Sequence, residues 1–343
     1  MATIPKLITS GKNRREFVER NTKRCEEVYI KGDKVSEYPD FKNSLCNVYV
    51  SKPNRDTEFA SQGLCHIGDY TLITSYDPTD RDFIKSLGAT IIGAEDANFK
   101  TKNSIIDIVG PNGETKTLVL DNKSHVGGIA FHEESGKVFV SNDSKVNVYD
   151  INTIANAKDG DTIKPESSFD FKKLSGGNAS YLQVHNNNLY VGIFSKESGA
   201  SLYRYDLDSE GNESNPEKFK VPYSKVQGLE ILENDGKEYF IFSTSYGRTN
   251  SSQLSFSELT DSGKFEPVTY MKVPCMSEQI SFNKNGQLGI VFESDSTYYA
   301  NASKEIGNVL YIDAEEYLKE NINDWAEEKE KLGKFLEILD IDD

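Results

Sequence analysis

From Gln62 onward the chain is a succession of short runs in which apolar and polar residues alternate. Each run is bounded by Gly, Asn, Asp or Ser. A period of two predicts half-buried strands, and the punctuating residues predict tight turns between them. The runs fall into groups of four. QGLCHIG, YTLITSYD, NSIIDIVG and TKTLVLD make the first group, and HVGGIAF, KVFVSND, KVNVYDI and SSFDFKKL the second. SYLQVHN, NLYVGIFS, SLYRYDL and EKFKVP make the third, and QGLEILE, EYFIFSTS, SQLSFSEL and EPVTYMKV the fourth. SEQISFN, QLGIVFES and GNVLYID form an incomplete fifth. Five copies of a four-strand unit, with first strands starting near Gln62, His125, Tyr181, Gln227 and Glu278, predict an all-β, five-bladed β-propeller.

The fifth copy lacks its outer strand, and an unpaired edge would be a template for aggregation. LCNVYVSK, residues 45–52, has strand composition and belongs to no copy of its own, so it is expected to close the last blade. The ring then occupies residues 45–313. Residues 1–44 are read as a helical extension, since KNRREFVERNTKRCEEVYI alternates charge at helical spacing. Residues 314–343 are read as a C-terminal helix with Tyr317, Leu318, Ile322, Trp325, Leu332 and Leu339 on one stripe. Such a helix either caps the ring or docks a protein partner. Two other readings fit less well: a six-bladed ring with a blade hidden in residues 79–103, where no inner-strand start is visible, and a β-sandwich, which leaves the fivefold repetition unexplained.

The 343 residues include 18 Tyr and 18 Phe but one Trp, and the formal charge is −16. No Lys/Arg cluster offsets that charge, which argues against a nucleic-acid partner. No run reaches the roughly 20 apolar residues of a membrane helix, and Met1–Ser10 lacks the apolar core of a signal peptide. A mature secreted chain is slightly favoured over a cytoplasmic one. Cys25, Cys46, Cys65 and Cys275 contain no CxxC pair, so metal binding through sulfur is not expected.

In a propeller the innermost strand of each blade starts on the face where the second strand ends. Both sets therefore converge at one mouth of the channel. Strand starts place Gln62, His125, Gln227, Glu278 and, one step inside, Gln183 there. Strand ends add Tyr76, Asn142, Tyr246, Arg248 and Glu293. Small polar residues at strand ends also simply turn the chain. His125, beside Gly127 and Gly128, has the chemistry of a base, a donor or a metal ligand. Arg248 suits an anionic or sugar edge, with loop bracing as its rival. Glu230, Glu278 and Glu293 with Asp77 and Asp295 offer oxygen ligands for calcium, or a carboxylate pair for glycoside chemistry. No HExxH, GxSxG, P-loop or EF-hand loop is present.

REFVERN, EYPDFKN, SQGLCHIGDYTLITSYD, SHVGGIAF, QGLEI, STSYGRTNSS and SEQISF together resemble a poorly characterised family of predicted secreted microbial β-propeller proteins. The resemblance spans nearly the whole chain and implies a propeller and frequent export, with no activity attached to particular residues. This chain departs from the pattern in lacking an export signal and in carrying Glu278-Gln279 where the family more often resembles Glu-Gly. Blades one and five adjoin in a closed ring, so if export holds a Cys65–Cys275 disulfide is an expectation, with Cys25–Cys46 as a second. Two functions follow. The first is a binding module for a small polar molecule or glycan, with calcium as a candidate cofactor, whose ligand residues would be Gln62, Tyr76, Asn142, Gln183, Gln227, Tyr246, Arg248 and Glu293. The alternative is a hydrolase of lactone, glycoside or phosphoester type using His125, Glu278 and Arg248.

Overall fold

The computed structural model describes residues 3–9, 12–13, 26–53, 57–78 and 102–322. These form five sheets, each built on four antiparallel strands, in sequence order in the first four. The inner strands are Ala60–Ile67, Ile129–His132, Tyr181–His185, Val226–Asn234 and Ser277–Phe282, for blades 1 to 5. Each contacts the next, and Ser277–Phe282 contacts Ala60–Ile67, so the ring is closed. This is the five-bladed β-propeller that the repeats predict.

The last blade is completed by Leu45–Ser51, which pairs antiparallel with Asn308–Ile312, as the missing outer strand requires. Lys52 follows directly. Its ammonium is 2% exposed, donates to the Phe292 carbonyl at 2.5 Å and pairs with Asp295. A buried ion pair broken on one side leaves an uncompensated charge, so this contact holds the closing strand in one register.

The core is divided among the blade interfaces, because a twisted sheet buries both faces against its neighbours. Phe139, Leu182 and Val191 fill the space between blades 2 and 3, and Phe240, Phe242 and Tyr190 that between blades 3 and 4. The seam between blades 5 and 1 has the smallest buried apolar cluster: Leu64, Ile73, Val291, Val309 and Tyr311. A hydrogen bond between His66 Nε2 and the Tyr311 hydroxyl, 2.8 Å, crosses it. Burial drives the His66 pKa down to about 3, so the imidazole is neutral there.

The N-terminal segment and the cysteines differ from expectation. Lys12–Asn13 is a short strand on the outer edge of blade 1, and Glu26–Ile30 is a single π-helical turn; residues 14–25 of the expected helix, with Cys25, lie outside the described residues. Residues 314–322 are helical, with Tyr317 and Leu318 buried on the ring and the Tyr317 hydroxyl donating to the Tyr270 carbonyl at 2.7 Å. Trp325, Leu332 and Leu339 lie outside the described residues. Cys65 and Cys275 are not disulfide-bonded. Cys65 sits inside the apolar cluster between blades 1 and 2, whereas Cys275 precedes the inner strand of blade 5 and contacts Ser303 Oγ at 3.3 Å. Cys46 is also a free thiol. Among the described residues, no helix is long and apolar enough to cross a membrane.

Candidate functional site: a blind cup above a glutamine plug

Three inner strands carry one extra residue at the same level. The pairing slips between Ser61 and Gly63, between Val226 and Gly228, and between Ser277 and Ile280. A bulge re-aims a side chain that the pleat would otherwise send into an interface. Here it turns Gln62, Gln227 and Glu278 toward one another at the mouth. Gly63 and Gly228 follow the first two bulges. A Cβ on Gly228 would lie 2.7 Å from Gln279 Cα, so only glycine permits this approach.

Gln279 closes the channel below them. Its Oε1 accepts from the amides of Leu64 (3.2 Å) and Ile129 (2.9 Å), and its Nε2 donates to the carbonyls of Ile129 (3.0 Å) and Leu182 (2.9 Å). One amide thus ties blade 5 to blades 1, 2 and 3, with its bonding capacity spent. The mouth is therefore a cup with a floor.

In the cup, Gln62 Nε2 donates to Glu293 at 2.7 Å and Gln227 Nε2 to Glu278 at 3.1 Å. Glu278 and Glu293 hydrogen-bond each other. Two carboxyls in contact cannot both ionise in a poorly solvated site, so the pair holds a proton between them. Burial first, then the neighbouring carboxylate, raises Glu278 well above the ordinary carboxylate range. Burial pushes Glu293 up to about 7, against the opposing hydrogen bonds from Gln62 and Tyr299. Gln62 is fully buried, yet its Oε1 has no hydrogen-bond partner among the described residues.

Beside the pair opens a cavity of about 240 Å³ lined by His125, Asp143, Ser180, Phe194 and Gln227. Gln227 joins the two, since it lines the cavity and bonds Glu278. Tyr76 packs against His125 with the rings tilted by 42° and their centroids 4.4 Å apart, and its hydroxyl lies 3.3 Å from that of Tyr299. His125 precedes its strand, which begins only at Ile129, and is half-buried.

The remaining candidates are placed differently. Arg248 lies over Tyr299 and Tyr298, at 5.1 and 5.6 Å, and donates to Asn301 Oδ1 at 2.5 Å; it braces the wall that carries Tyr299. Tyr246 is 43% exposed on the rim, with Lys225 and Lys196 over its ring at 4.7 and 5.5 Å. Asn142 Nδ2 turns to Asn147 at 3.3 Å, and the next residue, Asp143 with φ 49°, lines the cavity instead. Gln183 follows Leu182, past the plug, where it hydrogen-bonds Glu230. Asp295 is consumed by Lys52, and Asp77 accepts from the Lys102 amide at 2.9 Å. Tyr299, which touches the pair, belongs to the turn Thr297–Tyr299 outside every repeat, and no repeat-based reading finds it.

Comparison with protein-family models and with curated proteins finds no match. Among solved structures, the chain is similar to Kuenenia stuttgartiensis hydrazine synthase, with 10% identity and a TM-score of 0.39, over 71% of this chain and 57% of that one. It is also similar to a Bacteroides caccae protein of unknown function, with 12% identity and a TM-score of 0.34, over 55% of this chain and 61% of that one. The chain spans less than two thirds of the length of either.

Proposed function

We propose that the protein is a β-propeller binding module that takes a small polar ligand, a sugar or another hydroxyl-rich molecule, in the blind cup. The buried Gln62 Oε1, without a partner among the described residues and beside the proton-sharing Glu278–Glu293 pair, carries this reading. A buried acceptor without a protein partner is open to a hydroxyl, and leaving such a group unbonded costs roughly 1 to 3 kcal/mol. Gln227 connects that polar floor to the cavity, where Phe194 offers an apolar surface and His125 and Ser180 offer polar groups. Calcium would draw on the same oxygens, those of Gln62, Glu278 and Glu293, in exchange for the shared proton.

One observation favours the hydrolase alternative: a Glu293 with a pKa of about 7 is poised for proton transfer. The two carboxyls touch, however, and a glycosidic bond between catalytic carboxyls needs about 5 to 9 Å.

The test is a thermal-shift series with neutral mono- and disaccharides, each with and without calcium, on the wild type, His125→Ala and Gln227→Ala. A ligand that raises Tm in the wild type and is lost in both variants supports the cup. A ligand bound equally by all three chains places the site elsewhere.

A further inference from the structure

On the face opposite the cup, three ligand atoms from two blades converge. His185 ends the inner strand of blade 3, in a hairpin whose two tip residues, Asn186 and Asn187, have φ of 46° and 56°. Glu233, in the inner strand of blade 4, is directly across from Glu238, in the second strand Lys237–Thr244. His185 Nε2 lies 3.1 Å from Glu233 Oε1 and 3.4 Å from Glu238 Oε1. All three atoms lie within 4.8 Å of one another.

The Glu233 and Glu238 side chains are 58% and 43% exposed, and His185 17%. Two carboxylates directly opposite on one sheet face repel, and among the described residues neither pairs with a Lys or Arg. Asn186 Nδ2 points into the group, 2.8 Å from Glu233, 3.0 Å from His185 Nε2 and 3.5 Å from Glu238. That amide has two hydrogens for three acceptors. An Nε2 hydrogen on His185 would serve the two carboxylates only by being shared, and without it the ring nitrogen is a third acceptor for the Asn186 amide.

A cation at the centre removes the conflict, and the spacing indicates which. Ligands about 2.1 Å from a tetrahedral ion lie about 3.4 Å apart, close to the two observed separations. A mixed imidazole and carboxylate set suits zinc over calcium or magnesium, which take oxygen alone. We propose that His185, Glu233 and Glu238 form a zinc-type divalent metal site that staples blade 3 to blade 4, with the Asn186 amide displaced and the fourth position open to water.

The test uses the full chain, stripped with chelator, and titrated with zinc by calorimetry and with cobalt by visible absorption. One zinc per chain is expected, with the intense absorption of tetrahedral cobalt. Affinity should fall at least tenfold in His185→Ala and in the double variant Glu233→Gln/Glu238→Gln. Circular dichroism checks that each variant is folded, and His185→Asn replaces His185→Ala if the latter is not. No zinc uptake by the wild type, or uptake that survives in the folded variants, overturns the site.

Discussion

Two chambers of one channel hold buried glutamates, separated by a single amide, and they are finished differently. Below the Gln279 plug, both Glu230 oxygens are occupied by backbone: Oε1 accepts from the Ile231 amide and Oε2 from the Phe282 amide, each at 2.9 Å. Gln183 adds a side-chain bond. Above the plug, Glu278 and Glu293 lean on each other and on side chains, and the neighbouring Gln62 Oε1 has no partner among the described residues. Burial raises the carboxyls in both places, so a raised pKa does not separate function from structure. What separates them is whether the polar groups are already satisfied.

Removing the partition should have the largest effect. Gln279→Ala strands two amides and two carbonyls of the inner strands, and buried groups left without partners cost roughly 1 to 3 kcal/mol each. Water can enter the space and recover part of this, so a loss of about 3 to 5 kcal/mol is expected in urea denaturation. A loss below about 1 kcal/mol would mean that the plug is not what divides the channel.

A middle-sized effect distinguishes the glutamates by pH. Glu230 rises from 4.5 to about 7 on folding, with burial as the cause. The folded state therefore holds its proton more tightly than the unfolded chain. The resulting stability is complete below about pH 4.5 and is lost as the pH rises to about 7. Glu230→Gln should flatten that decline by on the order of 3 kcal/mol, read from unfolding curves across the window, and leave the pH profile of ligand binding untouched. Glu293→Gln should change the ligand profile as well. If the two variants behave alike, the chambers are equivalent and the cup loses its claim.

Much of this plan was legible in the chain. The alternation and its fivefold recurrence specified the blades, and the missing strand pointed to residues 45–52, because both are consequences of burying sheet faces. Strand starts and strand ends also brought Gln62, Gln227, Glu278 and Glu293 to one mouth. The finer aim of the side chains was not legible. A one-residue bulge leaves alternation almost unchanged, so nothing distinguished blades 1, 4 and 5 from blade 3, whose inner strand pairs without a slip from Tyr181 to His185. For that reason Gln183 falls beyond the plug. Gln279 stood out only as a departure from Glu-Gly, and its role needs three strands from other blades to become visible. Tyr299 sits in a turn, where the repeat carries no information.

The smallest expected effect tests whether the cup's wall tunes its chemistry. Arg248 does not touch the carboxyls; it packs over Tyr299, whose hydroxyl bonds Glu293. A half-buried cation on an aromatic face is worth about 0.5 to 1 kcal/mol, so Arg248→Ala should cost no more than that in stability. The Tyr299 bond stabilises ionised Glu293 and so holds its pKa down. Loosening the tyrosine should move the midpoint of the pH dependence of ligand binding above about 7, with no change in the Glu230-dependent part of the stability curve. An unmoved midpoint in Arg248→Ala, beside a clear shift in Tyr299→Phe, would make Arg248 a brace for its own loop alone. An unmoved midpoint in both would detach the wall from the pair, and leave burial and the Gln62 amide as the groups that set the proton's affinity.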